Sequence, residues 1–214
     1  MTQRVVVSLA ACAILVSCIA SRSAAQMQVE IGPTIGYYSP MGSFEPASVH
    51  STALPASPSS LSGTALGGEL RLWFVPRIGL ELAGSTTASS VGGGSTPVGY
   101  KPSTPARVNT GTAQLLIRVT SDANRTRIWI GAGAAAIRHG GVAYEVFGTP
   151  VNYGGVVGLG SAFRLAGGLN ANIGVSTMIY NIDFRSASIF DNGLNERGRQ
   201  VDVMLRTGLS YGWP

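Results

Sequence analysis

The feature that most limits this chain is a two-residue alternation of apolar with small or polar side chains, maintained in eight separate segments between Met27 and Trp213. Successive side chains on a strand point to opposite faces, so a period of two marks strands with two unlike faces. The first segment, Met27 to Tyr38, sets Val29, Ile31, Pro33, Ile35 and Tyr37 against Gln28, Glu30, Gly32, Thr34 and Gly36. The others are Ala65 to Phe74, Ile78 to Thr86, Val108 to Val119, Arg127 to Ile137, Val156 to Leu165, Leu169 to Phe184 and Val201 to Trp213. In the fifth, the phase follows from placing Ile128, Ile130, Ala132, Ala134 and Ala136 on the apolar face. The seventh loses its phase beyond Ile179, where Tyr180, Ile182 and Phe184 form the apolar set. A β-bulge or the end of an apolar zone would account for that.

The connections alternate in length. Val75-Pro76-Arg77, the turn around Ser121-Asp122-Ala123-Asn124, and Ala166-Gly167-Gly168 are short. Residues 39–64, 87–107, 138–155 and 185–200 are long and rich in Ser, Gly, Pro and Thr. Short turns on one side and long loops on the other are the pattern of outer-membrane barrels, which place turns in the periplasm and loops outside. Beyond residue 25 no stretch approaches the roughly 18 consecutive apolar residues of a membrane helix. The expected fold is therefore all-β, a closed antiparallel up-and-down transmembrane barrel of eight strands. Closure removes the unpaired strand edges that lipid would not tolerate.

A water-soluble barrel would carry its polar face outward, and a membrane barrel inverts that order. Here the polar face is dominated by Gly, of which the chain has 29. Glycine suits the inside of a narrow barrel, where side chains fill the diameter. The same face carries four acids, Glu30, Glu69, Glu81 and Asp202, and four bases, Arg71, Arg118, Arg164 and Arg206. Charges confined there must pair, since a buried unpaired charge costs several kcal/mol. Arginine suits the task because its planar fork matches a carboxylate. We expect these eight residues to form an ion-pair cluster that plugs the lumen; a charge-lined path for protons or ions is the functional alternative. Tyr37, Trp73, Phe74, Trp129, Tyr211 and Trp213 sit near strand ends and are candidates for an aromatic girdle.

The first 25 residues read as a separate element. Arg4 precedes an apolar run from Val5 to Val16, and Ser23-Ala24-Ala25 supplies small residues for cleavage before Gln26. That is the pattern of a signal peptide, leaving residues 26–214 as the barrel domain. Leu15-Val16-Ser17-Cys18 also matches a lipoprotein acylation motif, so acylation of Cys18 stands beside cleavage at Ala25. Both cysteines, Cys12 and Cys18, lie in this segment, so the barrel has no thiol chemistry and no cysteine metal site. The chain has 15 basic against 10 acidic residues, and Arg4 and Arg22 fall in the leader. That small excess, with no concentrated basic patch, gives no case for nucleic acid.

In strand count, loop asymmetry, the interior charge set and its last strand, the chain resembles the small eight-stranded outer-membrane barrels, of the outer membrane protein A transmembrane-domain kind. The likeness covers about residues 27–213. It implies a Gram-negative-type outer membrane, lipid and lipopolysaccharide as surroundings, and a monomer. It also implies that the barrel-assembly machinery reads the terminal strand, with Tyr211 and Trp213 as its aromatic signal. Pro214 after Trp213 departs from that pattern.

Some barrels of this size modify lipid A, using a His with Ser and an acid near the outer surface. His50 lies in a Ser/Pro-rich loop. His139 opens the third long loop, with Glu145 nearby and Ser188 or Asp191 able to approach. No His-x-Ser arrangement stands at a strand end, and the two histidines lack metal-ligand spacing. Asn124-Arg125-Thr126 is a chance glycosylation match in a turn, and Gly92-Gly93-Gly94 lacks the strand–helix setting of a phosphate cradle. No cofactor is expected. Three functions follow: a structural or surface-interaction barrel acting through four extracellular loops, a narrow pore for ions or small solutes, or a lipid-A-modifying hydrolase.

Overall fold

A computed structural model of the chain describes residues 27–41, 62–91, 95–96, 99–100, 104–121, 124–141, 151–185 and 195–213. The leader with Cys18, His50, Gly92–Gly94, Glu145, Ser188, Asp191 and Pro214 lie outside these residues. The barrel strands are β1 (Gln28–Pro40), β2 (Gly63–Val75), β3 (Ile78–Val91), β6 (Thr104–Arg118), β7 (Thr126–Gly140), β8 (Val151–Arg164), β9 (Leu169–Arg185) and β10 (Asn195–Trp213). Between β3 and β6 a small hairpin pairs β4 (Ser95–Thr96) with β5 (Gly99–Tyr100). The eight long strands close as β1-β10-β9-β8-β7-β6-β3-β2, each antiparallel to its neighbours in chain order. Closure is made by β1 on β10, from Val29↔Trp213 to Pro40↔Asp202. This is the expected fold class, with no edge strand left in the barrel.

Both ends of the barrel strands' sequence, Gln28 and Trp213, lie at the end that carries the short connections. We call this the turn end, and the opposite one the loop end. At the turn end the β8–β9 connection uses Gly167 and Gly168 at φ 59° and 85°. This is the left-handed region that glycine enters without a Cβ penalty.

Two expectations change. The strands run further toward the loop end than the alternation indicates: β3 reaches Val91, β6 starts at Thr104, β8 at Val151 and β10 at Asn195. Those extensions lose the apolar face on which the sequence reading relies. Nor does β9 lose register after Ile179. Its pairing with β10 runs unbroken from Tyr211↔Leu169 to Asn195↔Arg185. Asn170, Asn172, Ser176, Met178 and Tyr180 are all buried on one face. The apparent change of phase is a change of chemistry inside the lumen, from amides to Met and Tyr. A register shift does occur elsewhere, between Trp73 and Val75 on the β2–β3 pair.

The two faces are inverted relative to a soluble protein. Ile31, Ile35, Leu66, Leu115, Ile117, Ile130, Val157, Leu159, Ile173, Leu205 and Leu209 are exposed on the outer wall. Glu30, Glu69, Arg71, Glu81, Gln114, Arg118, Arg127, Asn172 and Asp202 are buried inside. In the fifth segment, Ile128, Ile130, Ala132 and Ala134 face out and Ala136 is half-buried, which fixes its phase as read from sequence.

Candidate functional site

The turn-end half of the lumen is held by Arg71. On β2, its guanidinium reaches three carboxylates: Glu69 at 2.6 Å, Glu81 at 2.9 Å and Glu30 at 3.5 Å. Its flat face lies 4.3 Å from the ring centre of Trp129. Glu81 also accepts from Arg206 at 2.8 Å and from Gln114 at 3.2 Å. Glu30 accepts from Arg127 at 2.7 Å, and Arg127 in turn donates to Asn170 at 2.8 Å. Asn172 donates to Glu69 at 3.0 Å and to Ser210 at 2.8 Å. Three carboxylates and three guanidiniums from five strands thus form one network in which every charge has an opposite partner. That is the condition under which buried ions are tolerated.

Five of the eight sequence candidates meet here: Glu30, Glu69, Arg71, Glu81 and Arg206. Three do not join the network in the way expected. Arg118 is buried, but it lies over the Trp73 ring, 3.9 Å from its centre, a cation–π contact. Arg164 has the inward parity yet is exposed, because it is the last residue of β8 and opens onto the rim. Asp202 is fully buried, far up β10 from the network. The charge that sequence reading missed is Arg127, one of the most deeply buried side chains. Its parity with Gly131, Gly133 and Ala135 was the available signal.

Trp73 and Trp129 are also corrected. Near the strand ends they suggest a girdle, but both face inward, with 3% and 4% of their surface exposed. They pack edge to face at 6.3 Å between ring centres, flooring the ion network. The outward aromatics at the turn end are Phe74, Phe163, Tyr211 and Trp213. Tyr211 and Trp213 stack edge to face at 4.7 Å.

Asp202 anchors a second group nearer the loop end. Its carboxylate accepts from the hydroxyls of Tyr38 and Tyr180, the latter at 2.6 Å, and from Gln200 Nε2 at 2.9 Å. His139 lies beside it, 6.3 Å from Tyr180 between ring centres. The histidine is therefore not a loop residue. It is the penultimate residue of β7, faces the lumen and is buried. Tyr38, Ala65, Val108, Ile137, Met178 and Met204 belong to the apolar layer at the same level.

One void of ≈ 10 Å³, the room of about one water molecule, lies within the ion network beside Glu69, Arg71, Glu81 and Trp129, and a second of ≈ 10 Å³ lies above it against Ser176, Met178 and Met204. Arg206 lines both of them. Among the described residues, buried side chains thus run through the lumen from the tryptophan floor, through the ion network, to the tyrosine–aspartate layer.

No family model matches the chain, and no curated protein matches it in sequence. Solved structures do. The outer membrane protein OprG from Pseudomonas aeruginosa superposes with a TM-score of 0.58 at 14% identity, over 87% of this chain and 96% of that one. The N-terminal β-barrel domain of Pseudomonas aeruginosa OprF gives 0.51 at 13% identity, over 88% and 100%. Neisserial surface protein A gives 0.51 at 11% identity, over 86% and 96%. The chain therefore has the fold of the small eight-stranded outer-membrane barrels.

Proposed function

We propose that this protein is an outer-membrane barrel whose solid lumen makes it a rigid scaffold for its four long connections, which act at the outer surface. The observation that carries this reading is the inversion of faces: a wall of Leu, Ile and Val outside, and a charge-balanced Arg–Glu network inside. Such a wall is stable against hydrocarbon, and such an interior is stable only out of it. The packed lumen favours a scaffold over a conduit. The burial of His139 among Tyr180 and Asp202 favours it over a hydrolase working at the surface. On this reading the chain is exported by its N-terminal segment, assembled by the barrel machinery through β10, and surrounded by lipid and lipopolysaccharide as a monomer. The test is gel mobility of the protein from outer-membrane fractions before and after boiling. A heat-dependent shift is expected. A chain that folds in detergent-free buffer would overturn the membrane assignment.

A further inference from the structure

The charges of this barrel are sorted by face. All four carboxylates whose side chains are described, Glu30, Glu69, Glu81 and Asp202, are buried in the lumen. Among the described side chains six arginines are exposed: Arg77, Arg125 and Arg164 at the turn end, and Arg107, Arg138 and Arg199 toward the loop end. Among the described side chains, both rims thus present cations and no carboxylate.

Arg107 and Arg138 stand together. Arg107 pairs with Gly140 and Arg138 with Asn109, so the two arginines are diagonal neighbours on β6 and β7. Diagonal positions on one face lie about 7–8 Å apart, close enough for two guanidiniums to hold one phosphate.

Below them the wall changes character. Gly84 pairs with Gly111, and Gly111 with Ala136; the next row down is Ala113, Ala134 and Gly155. These six outward positions form a patch almost without side chains, bordered by Tyr153 beside Ala136, in a wall whose large side chains are mostly Leu, Ile and Val. The packing of the barrel does not require its glycines. A Cβ at Gly111 would meet nothing within 4 Å, and those at Gly84 and Gly155 would stop at 3.7 Å and 3.9 Å. Lumen glycines differ: a Cβ at Gly32 or Gly36 would sit 1.8 Å or 2.2 Å from a backbone oxygen. Arg138 lies two residues beyond Ala136 on the same face, and Arg107 four beyond Gly111. At about 3.3 Å per strand residue, the cations stand about 7 and 13 Å above the smooth patch.

We propose that this β6–β7 face docks a phosphorylated, multiply acylated glycolipid of the lipid A type, with its phosphate on Arg107 and Arg138 and one acyl chain along the smooth patch. The proposal rests on the outer-membrane reading, which places the loop end in the outer leaflet. Charge decides the occupant. A second copy packed here about a two-fold axis along the barrel would bring Arg107 and Arg138 against their own counterparts, like charge on like. An anionic amphiphile is complementary to both the cations and the apolar strip.

The test uses the full chain, extracted from membranes in detergent, exposed to lipid A and read by native mass spectrometry. Wild type is expected to retain one lipid A. The R107Q/R138Q double variant should lose retention by about tenfold, the effect of removing charge-assisted phosphate contacts. G84L/G111L, which fills the strip and leaves the arginines, should lose it comparably. R77Q/R125Q, at the opposite rim, should match wild type. Equal retention by R107Q/R138Q and wild type would overturn the proposal. So would equal retention of phosphatidylglycerol, or a dimer that G84L/G111L abolishes. Heat-dependent mobility of each variant shows that the barrel is intact. Failure of the membrane reading would be visible earlier, as a chain that needs no detergent.

Discussion

Arg127 and Glu30 are 97 positions apart in sequence and meet across the lumen at 2.7 Å. Their strands, β7 and β1, are not hydrogen-bonded neighbours. The ion pair ties opposite walls of the barrel where the backbone ladder cannot. Removing Arg127 takes away the shortest of the printed contacts to Glu30, leaving the longer one from Arg71 and one from Gln28 beside the more distant charge of Arg118. We expect R127A to lower unfolding stability by about 3 kcal/mol, as for other broken buried pairs. The double variant E30Q/R127Q should lose less than R127A, since it strands no charge. Urea titration of the folded barrel in micelles, followed by the loss of heat-dependent mobility, checks the order of the two.

The tryptophans divide by face. Of the three in the chain, Trp73 and Trp129 are buried in the lumen and Trp213 is 47% exposed on the outer wall. In vesicles whose acyl chains carry bromine, a variant retaining Trp213 alone should be strongly quenched. Variants retaining Trp73 or Trp129 alone should keep most of their emission. Equal quenching of all three would contradict the inward placement of the pair.

Glycines of the two faces should respond in opposite ways to one added methyl. G36A forces a Cβ to 2.2 Å from the Leu205 carbonyl oxygen, and overpacking of that kind costs about 1–3 kcal/mol. G111A meets nothing, and should fall within about 0.5 kcal/mol of wild type. Paired urea curves in the same detergent decide this.

The packed lumen predicts electrical silence. Wild type should give no steady conductance steps in a planar bilayer. R206A should also be silent, although it joins the two voids that Arg206 lines, because Tyr38 and Tyr180 still close the level above on Asp202. R206A/Y38A/Y180A should stay silent as well, because Arg71, Arg127, Trp73 and Trp129 still fill the turn-end half. Steps from wild type would overturn the plugged lumen.

Most of the barrel was legible because its two environments impose an exact period. An apolar outer wall and a crowded lumen leave no room for a slip, so each strand's phase is written in its residues. The site was harder. Parity assigns a residue to the lumen but not to a height or a partner, so Asp202 was grouped with glutamates it never meets. Parity also ends where a strand meets the rim, which is why Arg164 turns out to be exposed. Side-chain type misled at Trp73 and Trp129, where a preference for interfaces yields to packing under Arg71 and Arg118. Arg127 was within reach: its place in the alternation pointed inward, and only its position at a strand start hid it.

The closure of β1 on β10 has a consequence for synthesis. The first strand's second partner is the last of the barrel strands to be made, since Val29 pairs with Trp213. Until then β1 and the growing end each expose an unsatisfied edge, a template for aggregation. The ion network is equally deferred, because Arg206 and Glu81 are 125 positions apart. Neither the seam nor the network can close before β10 is made, so the holding of the open chain bears on yield more than any strand's own propensity.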